Sequence, residues 1–494
     1  MLRARVAVSL ALTALFAVPA EARPLETGLF DQTAFEAEDG SAAMVRTRAA
    51  GATSVRLVLY WSRVAPGGPE KPAGFDPSSP VDPGYDWSYF DRLVTEAADH
   101  GLEPIVTVFL APLWAERSHG KQGGSGVRKP DPAELASFAK AAARRYSGAI
   151  PGLPRVRRWQ LWNEPNLHRF LWPQFDVPAS RRVPKDADAL SPEYYRRMVR
   201  AFARAVHRVH AGNLVVVGGL APFGNAHGGE HAVPPLQFMR ELLCLGAKNR
   251  PTRDCKPLPF DVWSHHPYTE GGPDHRAAVP GNASLGDLPA MRRILDAAVR
   301  AGRISSRRRV AFWVTEFSWD TKPPDPDGVP AKLHARWVAE ALYRMWQQRV
   351  SLVIWFKVRD DGQRGGDQLD HQSGLYFHCA AGWSCSEPKR SFTAFRFPFV
   401  AFRAGGRVRV WGRTPSSSSG DVIVEQRRRR GGWRRVRRLR AGRHGIFSAR
   451  PRTRAKGALR ARIPTARAAS GRGERSLPFK LMKTPDVPVR VFGD

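Results

Sequence analysis

The sequence lacks several signatures that would assign a chemistry directly. It has no His-Glu-x-x-His metal helix, no Gly-x-Ser-x-Gly nucleophile turn and no glycine-rich phosphate or dinucleotide loop. These absences argue against a zinc protease, an α/β-hydrolase and a nucleotide-binding enzyme. Beyond the N-terminus, no stretch reaches the roughly 18 apolar residues that a membrane-spanning helix needs, so we expect no membrane span.

Acidic residues are scarce relative to basic ones. The 494 residues include 45 Asp and Glu against 78 Lys and Arg, a formal net charge of +33. The excess is concentrated in residues 401–494, which hold 26 basic and 5 acidic side chains. With 42% hydrophobic residues the composition is otherwise that of a globular protein. The length allows two or three domains, or one large barrel with an accessory module.

Cysteine is also rare, and the four residues fall into two local pairs, Cys244 with Cys255 and Cys379 with Cys385. Neither pair has the Cys-x-x-Cys spacing of zinc or redox sites. Four cysteines allow three disulfide connectivities, and pairing of near neighbours, which closes the shortest loops, is the one we predict. Four free thiols are the alternative, but disulfides are favoured outside the cytosol.

The N-terminus has the pattern of an export signal. Arg3 and Arg5 precede an apolar run over residues 6–20, and Ala20-Glu21-Ala22 supplies small residues at cleavage spacing. We therefore predict a signal peptide over residues 1–22 and a secreted protein, with cell-wall association as a further option. A membrane anchor or a lipoprotein is the alternative, although no cysteine lies near the cleavage point.

Short apolar runs alternate with amphipathic stretches over most of the chain, a pattern typical of buried parallel strands that alternate with helices. The predicted strands are 27–30, 55–60, 104–110, 159–163, 214–218, 260–265, 310–316 and 353–356. The predicted helices include 86–100, 132–146, 192–210, 288–301 and 331–348. Eight such units predict a (β/α)8 TIM barrel over residues 23–402. A doubly wound open sheet is the alternative, but its nucleotide-binding loop is missing.

The pattern changes after Arg403, where short alternating segments are separated by Gly, Ser and Pro. We predict a small all-β, sandwich-like C-terminal module over residues 403–494, with a disordered basic tail as the alternative. Its arginine runs at 427–430 and 434–440 would attract polyanions. Because the export signal argues against nucleic acid, we expect an anionic cell-wall polymer or an acidic polysaccharide. Arginines that merely cover a solvated surface are the alternative, and the one that we favour from the sequence.

Barrel enzymes carry their reacting groups where strands end and loops begin. Here those ends hold Glu164 after the fourth strand and Glu316 after the seventh. Glycosidic hydrolysis requires a protonated carboxyl that gives its proton to the leaving oxygen and an ionised carboxyl that attacks the anomeric carbon. The pair predicts a glycoside hydrolase. We expect no metal and no organic cofactor, because carboxylates supply both groups.

The residues around Glu164 resemble those of a known superfamily. Leu161-Trp162-Asn163-Glu164-Pro165 is similar to the strand-four Asn-Glu-Pro signature of clan A glycoside hydrolases, in versions found in families 39 and 5. Residues 162–167 are most similar to family 39, which includes β-xylosidases and α-L-iduronidases. The resemblance covers residues 25–402. Its other matching positions, in chain order, are Arg56, His266-Pro267-Tyr268, Glu316 and Trp355.

The resemblance implies a role for each matching residue. Glu164 would be the general acid/base and Glu316 the nucleophile of a retaining enzyme. Asn163 would bind the sugar 2-hydroxyl. Arg56 and Tyr268 would hydrogen-bond Glu316 and keep it ionised, since a nearby cation favours a charged carboxylate.

Three further residues are predicted to bind substrate, each with a structural alternative. His266 would orient Glu164 or bind sugar, unless it is a satisfied core histidine. Trp355 would stack under the sugar at the cleavage site, unless it fills the core. Trp114 would line a sugar subsite, unless it packs in its loop. In the loop after strand eight, Asp360 either touches substrate or, as we favour, is solvated.

Together these features predict a secreted, monomeric, retaining glycoside hydrolase that attacks β-linkages of a polysaccharide or a derived oligosaccharide. Two alternatives stay open. A non-catalytic carbohydrate-binding barrel would keep the aromatic residues but would need a damaged carboxylate pair. A cell-wall adhesion protein would depend on the basic module instead.

Overall fold

The computed structural model describes residues 23–118, 125–177, 181–184, 187–224, 231–252, 254–362, 371–404, 406–453, 456–464 and 473–481. The predicted signal peptide at 1–22 lies outside these described residues.

Eight parallel strands close into a barrel. They are β1 Glu26–Phe30, β2 Ser54–Tyr60, β3 Glu103–Phe109, β4 Arg158–Leu161, β5 Leu214–Leu220, β6 Val262–His265, β7 Ala311–Val314 and β8 Val350–Phe356. Strand β1 pairs with β8 along its whole length, from Glu26 opposite Leu352 to Phe30 opposite Phe356. This pairing closes the sheet, so the predicted (β/α)8 barrel is confirmed and the open sheet is excluded.

The helices follow the strands around the outside. They are α1 Gln32–Glu36, α2 Gly40–Ala49, α3 Trp61–Val64, α4 Ser88–Asp99, α5 Pro132–Arg145, α6 Ser191–Val209, α7 Pro235–Leu242, α8 Leu288–Arg300, α9 Ala331–Gln347 and α10 Arg390–Arg396. Helix α5 shows why the bounds are readable from sequence. The Asp131 side chain accepts hydrogen bonds from the backbone of Ala133 and Glu134, and Pro132 occupies the first helical turn.

The interior of the barrel is filled with side chains, so it is a packed core and not a pore. Its interior holds a separate buried cluster of large apolar side chains. The cluster comprises Ile105, Val216, Val262, Trp313, Leu352 and Ile354. The remaining faces of the strands pack against the helices in one larger core.

The end of β5 contains a bulge between Gly218 and Leu220. Gly218 and Gly219 both have positive φ, at +101° and +57°. A Cβ on Gly218 would lie 2.4 Å from the carbonyl oxygen of Ser264. Glycine is needed here because the backbone is left-handed and approaches the neighbouring strand closely.

The C-terminal region forms two small antiparallel sheets, which confirms the predicted all-β module. Its strands are β9 Phe399–Ala404, β10 Arg407–Arg413, β11 Gly420–Arg427, β12 Trp433–Ala441, β13 Ile446–Ala449, β14 Ala458–Arg462 and β15 Phe479–Lys480. One sheet has the order β9-β10-β13 and the other β12-β11-β14-β15. The first strand of the module, β9, begins at Phe399, before the predicted boundary at residue 403. It follows shortly after α10 ends at Arg396.

The module packs on helix α9 through aromatic residues. The ring of Trp411 lies 5.4 Å from Tyr343 and 5.5 Å from Trp346, between ring centroids. Phe402 stacks on Tyr343 at 5.6 Å. Trp411 is fully buried by these contacts. The two β-sheets are therefore joined to the barrel by an apolar seam.

Both predicted disulfides are confirmed, with Cys244 bonded to Cys255 and Cys379 to Cys385. Each closes a short surface loop, and all four cysteines are used. Within the described residues, the helices are all too short or too polar to cross a lipid bilayer.

We expect Trp411→Ala to lower the free energy of unfolding by about 3–5 kcal/mol, because it opens a cavity in a buried aromatic seam. Chemical denaturation followed by circular dichroism measures the change. Trp411→Phe keeps most of the ring contacts and should lose much less. Equal stability of Trp411→Ala and the wild type would show that the seam does not hold the module.

Candidate active site

The two glutamates meet at the C-terminal mouth of the barrel. Glu164 follows β4 and Glu316 follows β7. One carboxylate oxygen of each, together with one ring nitrogen of His266, lie within 4.8 Å of one another. Besides the two glutamates, four predicted residues lie at this mouth. Arg56, His266 and Tyr268 each contact a glutamate, and Asn163 contacts Arg56. The six residues gathered there are Arg56, Asn163, Glu164, His266, Tyr268 and Glu316.

Both carboxylate oxygens of Glu316 accept hydrogen bonds. Arg56 Nη1 donates to Oε2 at 2.6 Å, and the Tyr268 hydroxyl donates to Oε1 at 2.8 Å. The guanidinium is fully buried and permanently charged. A buried cation and a second donor stabilise negative charge on the carboxylate, as the resemblance implies.

The guanidinium of Arg56 is itself fixed by three further hydrogen bonds. Its Nη2 donates to Asn163 Oδ1 at 2.6 Å, and its Nε donates to Thr107 Oγ1 at 3.0 Å. Its Nη1 also reaches the carbonyl oxygen of Thr315 at 3.3 Å. Because the amide oxygen of Asn163 faces Arg56, the amide nitrogen is left to donate elsewhere in the mouth.

Glu164 has a different environment from Glu316. Burial raises its pKa to about 7, and the nearby charges of Arg169 and Arg56 oppose that rise. His266 Nδ1 lies 3.0 Å from Glu164 Oε1. Burial also lowers the pKa of His266 to about 3, so the imidazole is neutral and the contact is a hydrogen bond. A carboxyl with a pKa near 7 is able to both give and take a proton at neutral pH.

Thr315, which the sequence did not single out, contacts the partners of both glutamates. Its hydroxyl lies 3.1 Å from His266 Nε2, and its carbonyl accepts from Arg56. If the hydroxyl donates to Nε2, the ring hydrogen sits on Nδ1 and points to Glu164 Oε1. The acidic proton of Glu164 then sits on Oε2. The only sequence signal for Thr315 is its position beside Glu316.

The loop that carries Glu164 is held in an unusual conformation. Trp162 and Glu164 both have positive φ, at 66° and 41°. The Glu164 amide donates to the carbonyl of Gly219 at 3.0 Å, which links the loop to the bulge of β5. The buried side chain of Asn166 bonds the backbone of Ala221 through both its amide nitrogen and its oxygen. These contacts hold a strained backbone that positions the carboxyl.

The structure does not support the predicted stacking role of Trp355. This side chain is 1% exposed, and its Nε1 donates to the carbonyl of Ser373 at 2.8 Å. Its ring packs outward, against His334 of α9 and Phe395 of α10. Successive residues of a strand face opposite sides, and Ile354 faces the barrel interior. Trp355 therefore fills the core.

Phe30 and Phe356 are two aromatic residues that the structure places at the mouth instead. Both are partly exposed, and their rings lie 5.6 Å apart. The Arg56 guanidinium lies 4.7 Å from the centroid of Phe30. The sequence signal for Phe356 is the alternation of side chains along a strand. Phe356 lies two residues after Ile354 and therefore on the same face of β8.

Trp114 packs among the loops after β2 and β3. Its Nε1 donates to the carbonyl of Pro66 at 2.8 Å, and its ring is edge-on to Trp61 and Phe75 at 5.9 Å. It remains partly exposed, so a subsite role stays a prediction.

Asp360 is buried rather than solvated as expected. Its Oδ1 accepts from the Lys389 ammonium at 2.6 Å and from the backbone of Gly374 at 2.9 Å. These contacts give Asp360 a structural role in the loop after β8.

Glu164, His266 and Glu316 lie close enough together to be considered as metal ligands. The donor set fits a metal poorly, because both Glu316 oxygens already accept hydrogen bonds and Arg56 places a fixed positive charge beside them. The same arrangement suits proton transfer and nucleophilic attack.

The fold and this mouth define a (β/α)8-barrel protein with a paired-glutamate site. No protein-family model matches the chain. Over 132 residues it is 29% identical to thermostable β-glucosidase B of Thermobispora bispora, a match that spans 26% of this chain and 24% of that protein. The chain thus matches about a quarter of the length of this relative.

Among solved structures, a family 39 glycoside hydrolase from the gut symbiont Bacteroides cellulosilyticus WH2 is similar over 88% of this chain and 80% of that one, with 17% identity and a TM-score of 0.51. A glucosidase from Croceicoccus marinus is similar over 82% and 88%, with 14% identity and a TM-score of 0.44. The resemblance to clan A glycoside hydrolases is confirmed by the first of these at the level of the fold.

The raised pKa of Glu164 predicts a pH-dependent cost to stability. Below about pH 4.5 the carboxyl is protonated in both the folded and the unfolded protein, whereas above pH 7 folding must bury an ionised group. Glu164→Gln should therefore become more stable than the wild type as pH rises between these values, by up to about 3 kcal/mol. Denaturant unfolding at pH 4.5 and pH 8 measures this.

Glu38→Gln, which removes a carboxylate from an exposed position, is the matched control. A stability difference between Glu164→Gln and the wild type that stays constant with pH would contradict the assignment of a raised pKa to Glu164.

Proposed function

We propose that this protein is a retaining glycoside hydrolase. The observation that carries the proposal is the pair of glutamates, whose oxygens lie within 4.8 Å of each other in contrasting environments. Retaining enzymes place their carboxyl groups about 5–5.5 Å apart, whereas inverting enzymes need about 6.5–9.5 Å to admit a water molecule. The short separation favours retention.

In the first step, Glu316 attacks the anomeric carbon while Glu164 gives its proton to the glycosidic oxygen. The bond between that carbon and oxygen breaks, the leaving sugar departs as an alcohol, and a glycosyl ester forms on Glu316. In the second step, ionised Glu164 takes a proton from water, and the water oxygen attacks the anomeric carbon. Glu316 is released, and the product keeps its original configuration.

The neighbouring residues assist these steps. Arg56 and Tyr268 keep Glu316 charged and oriented until attack, through their two hydrogen bonds. The free amide nitrogen of Asn163 is placed to donate to the sugar 2-hydroxyl. Phe30 and Phe356 supply the apolar surface of the mouth.

The substrate we propose is a β-linked polysaccharide or an oligosaccharide derived from one. The resemblance of the Asn163-Glu164-Pro165 segment to families 39 and 5 supports it, as does the partial match to a protein named as a β-glucosidase. We propose that the enzyme is a monomer that acts outside the cell. Its export-type N-terminus supports this location, and its two disulfides suit an oxidising compartment. Its basic module would contact an anionic polymer there.

We expect Glu164→Gln and Glu316→Gln each to lower kcat/KM by about a hundredfold or more, because each removes a reacting group. The assay is hydrolysis of aryl β-glycosides, β-glucans, xylans and mannans. Glu340→Gln, which changes a buried glutamate on α9, is the matched control and should keep its activity. Azide should rescue Glu164→Gln on an activated glycoside, as a glycosyl azide of retained configuration.

Proton NMR of the first-formed sugar separates the alternatives. Inversion at the anomeric carbon would overturn the proposed mechanism. Sugar binding by a wild type that hydrolyses nothing in the panel would favour a non-catalytic binding barrel.

The contacts of Thr315 predict an effect on the pH profile. Activity of the wild type should fall as pH rises through about 7, because Glu164 loses its acidic proton there. Thr315→Val keeps the shape of the side chain but leaves His266 Nε2 without its partner, so the midpoint of this fall should move and kcat should decrease. Thr315→Ser should restore both. An unchanged pH profile in Thr315→Val would show that the hydroxyl does not position His266.

A further inference from the structure

One face of the four-stranded C-terminal sheet carries a set of arginines from two strands that flank β11. Ile423 lies between Arg438 of β12 and Arg462 of β14. Glu425 likewise lies between Arg435 of β12 and Arg460 of β14. Arg440 follows on β12, opposite Asp421. Because residues directly opposite share a face, these side chains lie together. The arginine face comprises Arg435, Arg438, Arg440, Arg460 and Arg462.

The other face of the same sheet is the apolar one. Val422 and Val424 of β11 are fully buried, as are Leu459 and Ala461 of β14. Burial alternates along β14, where Arg460 and Arg462 are more exposed than Leu459 and Ala461. On β12 the side chains of Arg435, Arg438 and Arg440 are exposed.

Acidic side chains on this face are too few to balance it. Glu425 pairs with Arg460 at 2.8 Å and with Arg462 at 3.0 Å. Asp421 pairs with Arg438 at 2.7 Å. Among the described residues, these ion pairs do not include Arg435 or Arg440. Like charges on adjacent strands destabilise a sheet, so the unbalanced arginines on this face oppose folding.

Some of the guanidinium groups are held in place before any ligand arrives. Arg460 lies over the ring of Trp433, 4.0 Å from its centroid, in addition to its bond to Glu425. Glu425 also orients Arg462. Residues 427–430, at the end of β11 and in the turn before β12, are four further arginines. The face is therefore a partly preorganised array of guanidinium groups.

We propose that the arginine face binds an acidic polysaccharide, one whose sugars carry carboxylates. The planar fork of arginine matches a carboxylate with two parallel hydrogen bonds. The choice of a glycan over other polyanions rests on the proposed function, since a glycoside hydrolase in an oxidising compartment meets anionic glycans. The face is distinct from the mouth of the barrel and leaves the glutamate pair free.

The test uses the full chain with Glu316→Gln, so that no polymer is hydrolysed, and polygalacturonate as the probe. Binding is measured by affinity electrophoresis and by calorimetry, with neutral mannan as the reference polymer. We expect binding to polygalacturonate that weakens as salt is raised, since screening reduces attraction between exposed charges.

The combined change Arg435→Gln, Arg438→Gln and Arg440→Gln should weaken this binding by about tenfold or more, because it removes three charge-assisted donors. The matched control, Arg293→Gln, Arg300→Gln and Arg307→Gln, removes the same charge from exposed positions on and after α8. It should bind within about twofold of the parent. Equal loss in both variants would overturn the proposal, as would tighter binding to duplex DNA or to anionic lipid vesicles.

Hydrolysis of a small neutral aryl glycoside, measured with Glu316 restored, should be the same in the face variant and the wild type. This readout separates the two proposals. A chain that binds polygalacturonate through the arginine face but hydrolyses no glycoside would overturn only the proposed function.

Discussion

The structure of the mouth depends on one buried cation, Arg56. A guanidinium removed from water is tolerated only when its charge and its donors are all compensated, and breaking such a set costs several kcal/mol. Here the compensation comes from Glu316, Asn163, Thr107 and the carbonyl of Thr315. These partners belong to β3 or to the segments that follow β4 and β7. The requirement to satisfy one arginine thus fixes the relative positions of the segments that carry both glutamates.

The two carboxyls have different surroundings. Glu164 is removed from water next to a neutral imidazole, so desolvation dominates and its pKa rises to about 7. Glu316 receives a permanent positive charge and a phenol hydroxyl, which stabilise the carboxylate. Two residues of one type thus have contrasting environments, the arrangement that the proposed acid and the proposed nucleophile require. Their contrast requires no metal or bound group.

Sequence patterns predicted the barrel strands and the two glutamates that meet at its mouth, because both depend on local signals. The apolar runs identify the strands, and the Asn163-Glu164-Pro165 segment identifies its own strand end. What the sequence could not show were roles that arise only between distant strands. Thr315 contacts His266 and Arg56 across gaps of 49 and 259 residues. Trp355 was wrongly placed because a match of residue type says nothing about which face of a strand is exposed.

The place where the module joins the barrel matters for the chemistry at the other end. Trp411 packs on Tyr343 and Trp346, in the last turns of α9, just before β8 begins at Val350. Those residues precede a strand, whereas the glutamates follow one. In a parallel barrel, strand starts and strand ends lie at opposite rims. The apolar seam therefore lies at the rim opposite the two glutamates, which supports the proposal that a polymer on the arginine face and a substrate at the glutamate pair bind separately.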